Sequence, residues 1–279
     1  YDESITRFLD VFEEVDREAP LAGLHWFFDH CETISERNLE RVRALGGGIA
    51  VQHRMSYQGE YFIDRYGQTA AERTPPVRKM LELGLPVGAG TDATRVASYN
   101  PWVALYWLTA GKTVGGATLY SEANRLDREE ALRLFTQGSS WFSSEGGQKG
   151  TLAVGQWADL AALTEDYFTV PEQDIKGIES VLTVVSGKVV YARDEFTPYQ
   201  PPPLPVLPEW SPARYFGGYG APLDIRQAAR NDIPVAHRHS AECHQHGCHH
   251  ALQQLFTAAE TARHRYAGFW GGGCDCFAF

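Results

Sequence analysis

The stretch VGAGTDAT, residues 87–94, begins as an apolar strand and ends in a carboxylate. The apolar run from Pro86 to Ala89 stops at a glycine, as a short buried strand does before a turn. Asp92 follows at the position where that strand ends. In parallel α/β proteins, ligands bind and chemistry occurs at the carboxyl ends of the strands, so Asp92 is a candidate functional residue.

Two earlier segments repeat this layout. The run GLHWFFDHCE predicts a buried strand that ends in Asp29 and His30. The run GIAVQHRM predicts a second buried strand that ends in His53 and Arg54. Three consecutive strands that each end in ionisable or metal-binding groups are a stronger signal than any one of them.

Amphipathic helices separate these strands. Ser35 is a candidate N-cap for the middle helix, and two prolines begin the last one, as helices often do. The helical patterns occupy residues 3–20, 35–48 and 75–85, whereas residues 56–74 read as a longer connection. Short buried strands that alternate with amphipathic helices predict a parallel sheet covered by helices.

A different pattern begins near residue 145. The run DREEALRLFTQGSSWF predicts a helix before that point, and VLTVVSGKVVYA predicts a β-hairpin that turns at Ser186 and Gly187. Seven prolines in residues 198–212 predict an extended linker. We therefore expect four parts, which are a barrel-like part at 1–145, a small β unit at 146–195, a Pro-rich linker at 196–212 and a His- and Cys-rich tail at 213–279.

The bulk composition excludes several classes of protein. The chain has 279 residues, 43% of them hydrophobic, which is enough for a sizeable core in one or two domains. A net charge of -10 argues against a nucleic-acid or anionic-membrane partner. No apolar run is long enough to span a membrane, and nothing near Tyr1 resembles a signal peptide. Five cysteines, four of them in the last 37 residues, predict a reducing compartment for most of the chain, and we expect a cytoplasmic protein.

His30 and Asp92 are the residues most suited to chemistry. A hydrolytic metal centre needs neutral imidazoles and carboxylates that converge from separate strands and leave one position for water. An aspartate in such a centre can bind the metal and also accept the proton of the water. The alternative is a helix N-cap aspartate and a partly buried histidine that is only hydrogen-bonded.

The tail has a metal-binding pattern of its own. Residues 237–250, HRHSAECHQHGCHH, contain six histidines and two cysteines, and Cys274 and Cys276 follow. Imidazoles and thiolates at this density could hold zinc or copper. The spacing matches no closed zinc motif, and His-rich tracts also bind metals loosely without a function.

The chain contains six signatures in a recognisable order, namely DHCE, VGAGTDAT, NPWVALYWLT, LDREEALRLFT, GTLAVGQWADLAAL and VLTVVSGKVVYA. Their order resembles that of the metal-dependent amidohydrolases, above all the branch that contains N-substituted formamide deformylases. In that family a histidine ends strand six of a (β/α)8 barrel, an aspartate ends strand eight, and a small β-sandwich follows. The motif Gly-x-Leu-x-x-Gly-x-x-Ala-Asp announces the sandwich, and residues 150–159 match it at every position. The resemblance covers residues 1–195.

The resemblance implies a fold and a reaction. The fold is α/β, the C-terminal part of a TIM-like (β/α)8 barrel, about strands six to eight, with part of a small β-sandwich domain. His30 would be the strand-six metal ligand, and Asp92 the strand-eight ligand and proton shuttle. The reaction would be hydrolysis of a non-peptide carbon–nitrogen bond of the amide type by a metal-activated water. The implied cofactor is a divalent metal, zinc before iron or manganese, with one or two ions in the full-length enzyme.

Further residues are candidates for the substrate site. His53 and Arg54 end strand seven, from which they could reach a substrate, and we expect a catalytic role for His53 and a substrate-binding role for Arg54. A structural hydrogen-bonding pair is the alternative. Arg95 could anchor a substrate carboxylate or bridge to Asp29, and we expect it to bind substrate. His25 is expected to be a polar substitution within its strand.

The chain also departs from the family pattern. It has no His-x-His pair after a first strand, no carboxylate or modified lysine after a fourth and no histidine after a fifth. A (β/α)8 barrel takes about 200 to 250 residues, more than residues 1–145 supply. We therefore expect residues 1–279 to be the C-terminal half of a longer enzyme, inactive alone.

Two alternatives remain open. One is a non-catalytic remnant or subunit whose His- and Cys-rich tail binds metal. The other is a deaminase of the same superfamily that uses His30 and Asp92 on an aminated ring. The expected partner is a small-molecule substrate of the amide type, with no nucleic acid and no membrane, and the sequence leaves a homo-oligomer open.

Overall fold

A three-stranded parallel sheet organises the first part of the protein. The computed structural model describes residues 1–93 and 96–202. The strands are β1 (Phe27–Asp29), β2 (Gly48–Gln52) and β3 (Val87–Gly90), in that spatial order. Both neighbouring pairs are parallel, so the predicted parallel sheet is confirmed.

The register of the sheet brings the carboxyl ends of its strands together. Ala50 of β2 pairs with Asp29 on one side and with Gly88 on the other. The central strand is buried, and Ile49 has no exposed surface. The expectation that β1 is also a buried strand is wrong, since Phe27 is 39% exposed. The reason is that β1 is an edge strand, with a partner on one side only among the residues that the structure describes.

The first two predicted helices form at the expected places. α1 (Asp2–Asp16) precedes β1, and α2 (Glu36–Ala44) joins β1 to β2. Ser35 caps α2 as predicted, because its hydroxyl accepts a hydrogen bond from the Asn38 amide at 3.3 Å. That bond satisfies one of the free amide groups at the start of the helix.

Residues 56–74 are largely helical, which corrects the prediction of a longer connection. α3 (Met55–Tyr66) and α4 (Gln68–Ala71) occupy most of this segment. Gly59 lies inside α3, where a Cβ would come within 2.4 Å of Leu119 Cδ2. A glycine in mid-helix weakens the helical signal of a sequence, and here it leaves room for the close packing of the Leu119 side chain.

Two further helices flank the last strand of the sheet. α5 (Val77–Glu82) precedes β3, and α6 (Pro101–Ala110) follows the loop after it. Asn100 caps α6 by accepting a hydrogen bond from the Trp102 amide at 2.9 Å. Residues 104–110 are all buried, as expected of a helix that is apolar on every side. Tyr106 and Trp107 therefore belong to the core.

A helical segment with a π-helical turn lies against β3. α7 (Arg128–Arg133) continues through a π-helix (Leu134–Gly138) into α8 (Ser139–Phe142), so the predicted helix is confirmed. Gly138 sits where a Cβ would come within 2.3 Å of the Val87 carbonyl oxygen. Only glycine allows the helix backbone to approach the strand this closely.

The second sheet is antiparallel. Its strands are β4 (Leu160–Leu163), β5 (Ser180–Val185) and β6 (Lys188–Ala192), in that spatial order. The turn between β5 and β6 has φ of 49° at Ser186 and 73° at Gly187. Two consecutive positive φ angles are the signature of a type I′ turn, so the predicted hairpin is confirmed.

Short 3-10 helices complete the described chain at Glu122–Asn124, Glu172–Gly177 and Asp194–Tyr199. No helix within residues 1–93 and 96–202 is both long and apolar enough to cross a membrane. The linker beyond residue 202 and the tail with its histidines and cysteines lie outside the described residues. The division into four parts stays a prediction.

Candidate active site

His30 stands at the carboxyl end of β1. Its amide donates a hydrogen bond to the Ala50 carbonyl at 2.8 Å, so the pairing with β2 continues one residue past the strand. His30 and Cys31 then have φ of 69° and 57°. Positive φ angles are uncommon for residues other than glycine and tend to occur at functional sites. They turn the chain sharply just after the histidine.

Asp92 stands two residues past the end of β3 and also has a positive φ, of 47°. Its side chain is 48% exposed. The position of this carboxylate is therefore set by the backbone conformation of Asp92 and not by burial of its side chain. The two backbone turns at His30 and Asp92 both lie at the carboxyl-terminal end of the parallel sheet.

The structure brings His30 and Asp92 together. The imidazole Nε2 lies 3.7 Å from the carboxylate Oδ2, and the histidine side chain is 37% exposed. Two ligand atoms that are each about 2.1 Å from one tetrahedral zinc ion lie roughly 3.4 Å apart. The observed separation is close to that value, and the donor types are ones that zinc accepts. The pair therefore fits a divalent metal.

Glu32 lies on the other side of the His30 ring. Its Oε1 is 3.7 Å from the imidazole Nδ1. Both of these atoms are buried, and neither has a hydrogen-bond partner among residues 1–93 and 96–202. Sequence reasoning did not single out Glu32 as a site residue. The available signal was its position two residues after His30, within the signature DHCE.

His53 follows β2 directly, and its ring is completely buried. Burial lowers the pKa of the imidazole to about 4, while the Gly90 backbone acts in the opposite sense. Within the described part of the chain, neither ring nitrogen has a well-formed hydrogen bond. The ring packs edge-on against Tyr57, with centroids 5.5 Å apart. His53 is therefore a neutral imidazole at pH 7.

The structure describes one of the two arginines that are predicted to bind substrate. Arg54 is the N-cap residue before α3, and its Nε donates a hydrogen bond to Gln58 Oε1 at 3.1 Å. Arg95 lies outside the described residues. The roles of both arginines remain predictions.

His25 lies at the opposite end of β1 from His30. Its Nδ1 lies 3.0 Å from the Trp141 carbonyl and 3.2 Å from Ser144 Oγ. The ring stacks on the Trp141 indole, with centroids 4.5 Å apart and planes 13° from parallel. The prediction that His25 lies within its strand is wrong, because β1 begins at Phe27 and His25 has a positive φ of 53°. Its contacts with Trp141 and Ser144 explain a polar residue at this point.

The described residues form no complete metal centre. Within residues 1–93 and 96–202, no three histidine, cysteine, aspartate or glutamate side chains converge on one point. His30 and Asp92 converge as a pair, and Glu32 lies behind the histidine ring instead of beside the aspartate. The pair can bind one face of an ion and leaves the carboxylate open to solvent.

Comparison with known proteins adds a family match over residues 1–191, to the family described as the amidohydrolase family. The Bacillus subtilis (strain 168) protein YtcJ is 23% identical over 189 residues, which cover 67% of this chain and 36% of the relative. N-substituted formamide deformylase of Arthrobacter pascens is 25% identical over 187 residues, which cover 66% of this chain and 34% of the relative.

A third relative is named as a deaminase. The 5-methylthioadenosine/S-adenosylhomocysteine deaminase of Syntrophobacter fumaroxidans (strain DSM 10017 / MPOB) is 33% identical over 144 residues, which cover 51% of this chain and 30% of the relative. The chain thus spans about a third of the length of the curated relatives it matches.

A solved structure that shares the fold is among the matches. It is described as an uncharacterized metal-dependent hydrolase from Pyrococcus horikoshii OT3, and it superposes with a TM-score of 0.50 at 24% identity. The superposition covers 61% of this chain and 34% of that one. A likeness at this identity concerns the fold and not the residues of the site.

Proposed function

The chain belongs to the amidohydrolase family, and from that premise we propose that it contributes to a metal-dependent hydrolase of non-peptide carbon–nitrogen bonds. The substrate would be a small molecule of the amide type, in keeping with the relative named N-substituted formamide deformylase. A cytoplasmic location is part of the same proposal.

The proposal includes a place for the parallel sheet in a larger barrel. β1, β2 and β3 are taken as strands six, seven and eight of a (β/α)8 barrel, and β4 to β6 as part of a small β-sandwich. Three features support this assignment, namely the parallel strand order, the match over residues 1–191 and the shared fold of the Pyrococcus horikoshii structure. Functional groups of such barrels lie at the carboxyl ends of the strands, where His30 and Asp92 are found.

A single observation carries the function, which is the approach of His30 Nε2 to Asp92 Oδ2 within 3.7 Å. We assign these two atoms as ligands of a divalent metal, with zinc the best match to one nitrogen and one oxygen donor. When bound, such an ion lowers the pKa of water and polarises the amide carbonyl. A catalytic zinc site typically has three protein ligands, so further ligands are expected from outside the described residues or from another chain.

Asp92 would move the proton of the reaction. Its exposed carboxylate can accept a proton from the attacking water and then deliver it to the leaving nitrogen. The positive φ at Asp92 holds the carboxylate at the carboxyl-terminal end of the sheet, next to His30. Proximity of this kind spares the reaction the entropy of bringing base and water together.

His53 and the arginines complete the proposed site. A neutral His53 carries one N–H donor for the developing negative charge on the substrate oxygen, a role that requires substrate binding to uncover the buried ring. Its ring nitrogens make no well-formed hydrogen bond within the described residues. His53 could therefore donate to a substrate without losing such a bond to those residues. Arg54 and Arg95 keep their proposed substrate-binding roles.

The test uses the intact protein and the Asp92→Asn variant. We expect hydrolysis of an N-substituted formamide to fall by about 10²- to 10⁴-fold, because general acid–base catalysis supplies an effect of this size. Bound zinc, measured by elemental analysis, should be retained, because the amide oxygen can still reach the ion. Asp29→Asn is the matched control, since Asp29 is also an exposed aspartate at a strand end. Equal activity in the two variants would rule out Asp92 as the proton carrier.

A deaminase is the second candidate, favoured by the relative of that name at 33% identity. The same two residues would then act at an aminated ring carbon, with Asp92 delivering its proton to the departing amine. The products separate the two reactions. Formate released from an N-substituted formamide supports the hydrolase, whereas ammonia released from an aminated heterocycle supports the deaminase.

A further inference from the structure

We propose that Glu32 is a positioning residue that fixes the orientation of His30 for metal binding. In this arrangement Glu32 accepts a hydrogen bond from the Nδ1–H of His30, and Nε2 is left as the nitrogen that binds the metal. The inference rests on the proposed function in one respect, which is that His30 is a metal ligand. It concerns a residue to which that function assigns no role.

The first support is the placement of two carboxylates on opposite sides of one ring. Glu32 Oε1 lies 3.7 Å from Nδ1, and Asp92 Oδ2 lies 3.7 Å from Nε2. The Glu32 side chain is 13% exposed, whereas that of Asp92 is 48% exposed. Solvent, substrate and metal can therefore approach the Nε2 side of the ring far more readily than the Nδ1 side.

The second support is that both atoms on the closed side need a partner. His30 Nδ1 and Glu32 Oε1 are buried, and neither makes a hydrogen bond within residues 1–93 and 96–202. Buried polar groups in native proteins are nearly always hydrogen-bonded. A separation of 3.7 Å is too long for a hydrogen bond. Small rotations of the imidazole and the carboxylate that move each atom by a few tenths of an ångström would bring the two within hydrogen-bond distance.

The backbone explains why Glu32 faces the histidine. His30 and Cys31 both have positive φ angles, of 69° and 57°. Two left-handed residues in succession fold the chain back after β1 and return the Glu32 side chain to the His30 ring. The strain in this turn fits a structure that must hold one side chain in a defined orientation.

Glu32 is not placed to bind the metal itself. Among the described residues, no three side chains of the metal-binding types converge on one point, so Glu32, His30 and Asp92 do not surround a common centre. A carboxylate on the far nitrogen of a metal-bound histidine has a different effect. It fixes the tautomer and ring orientation and makes the other nitrogen a stronger ligand.

Zinc affinity of the intact protein tests the proposal without any assay of activity. Competition with a chromogenic chelator would give the dissociation constants of the wild type and of Glu32→Ala and Glu32→Gln. We expect Glu32→Ala to weaken zinc binding about 10- to 100-fold, and Glu32→Gln to weaken it less, because the amide oxygen can still accept the hydrogen bond. Glu40→Gln, an exposed glutamate of α2, is the matched control and should leave the affinity unchanged.

A spectroscopic measurement reports on the tautomer directly. Nitrogen-15 spectra of histidine-labelled, zinc-loaded protein should show His30 with a proton on Nδ1 and with Nε2 bound to metal. The His30→Asn variant assigns the signals. Attachment of the metal to Nδ1, or an unchanged zinc affinity in Glu32→Ala, would overturn the proposal. If Glu32→Ala fails to fold, the spectrum of the wild type and the affinity of Glu32→Gln still decide it.

The outcomes also separate this inference from the proposed function. If His30→Asn weakens zinc binding and Glu32→Ala does not, the positioning role of Glu32 fails while the metal site stands. If His30→Asn leaves zinc binding unchanged, the metal site itself fails, and the role of Glu32 fails with it.

Discussion

His30 Nε2 and Asp92 Oδ2 lie 3.7 Å apart although the two residues follow different strands of the sheet. β1 and β3 do not pair with each other, because β2 lies between them. The contact therefore spans the width of the sheet and depends on the two left-handed turns that follow its edge strands. A shared metal ion would link two segments of the chain that no hydrogen-bond ladder joins directly.

A metal ion shared by His30 and Asp92 would make the effects of substituting these two residues non-additive. We expect His30→Asn and Asp92→Ala each to weaken zinc binding, and the double variant to bind little worse than the weaker single variant. The interaction energy in the double-mutant cycle should be about 1–3 kcal/mol, as for residues that share one partner. Zinc competition titrations of the four proteins measure it. Strictly additive losses would mean that the two side chains do not bind the same ion.

Burial of His53 should make stability depend on pH. The pKa of its imidazole is about 4 in the folded protein, against an ordinary value of 6.5, so the unfolded chain binds more protons between these values. Stability from this group is present above pH 6.5 and is lost as the pH falls toward 4. The loss should be on the order of 3 kcal/mol relative to the His53→Gln variant.

Urea unfolding of the wild type and His53→Gln between pH 4 and 8 measures this difference. The free energies of unfolding should run parallel above pH 7, where the imidazole is neutral in both states, and converge or cross at lower pH. Parallel curves over the whole range would mean that the pKa of His53 is the same in the folded and the unfolded protein.

Gly138 should be intolerant of substitution because it lies against the strand that leads to Asp92. A Cβ at this position would come within 2.3 Å of the Val87 carbonyl oxygen, and a strand backbone cannot move aside cheaply. We expect Gly138→Ala to lower the free energy of unfolding by about 1–3 kcal/mol. Gly177→Ala is the matched control, because a Cβ there meets no atom within 4 Å. Equal stability of the two variants would contradict the close approach of the π-helix to β3.

Arg78 and Glu130 should form a pair that lysine cannot replace. The guanidinium donates two hydrogen bonds of 2.7 Å to the two carboxylate oxygens and a third of 2.7 Å to the Arg125 carbonyl. Hydrogen bonding to Arg78 lowers the pKa of Glu130, so the stability of the pair is present at neutral pH and is lost as the pH falls through that lowered pKa. Both side chains are partly exposed, and we expect an interaction energy of about 1 kcal/mol at pH 7.

A double-mutant cycle with Arg78→Lys and Glu130→Gln measures that energy at pH 7 and pH 3. Lysine offers a point charge without the planar pair of donors, so Arg78→Lys should lose most of the interaction. The exposed pair of Arg133 and Glu129 in α7 is the control, and its interaction energy should be about 0.3–0.5 kcal/mol. Equal energies in the two cycles would show that the bidentate geometry has no special effect.

The fold was predicted best where local pattern and packing agree. Ser35 was identified as the cap of α2, and Ser186 with Gly187 as the hairpin turn, because each motif is recognised by residues a few positions apart. The prediction was wrong for residues 56–74, where Gly59 obscured a helix. It was also wrong for β1, because an apolar run does not reveal whether a strand has one neighbour or two.

The amino-acid sequence by itself determined the strand ends and the family, since both are encoded in short segments read along the chain. It also identified His30 and Asp92 as residues of interest. Only the tertiary structure decided that His30 faces Glu32 with one nitrogen and Asp92 with the other. That arrangement arises from left-handed turns and from the order of strands in the sheet. The residue pattern of one segment does not reveal its distance from another segment that is remote in sequence.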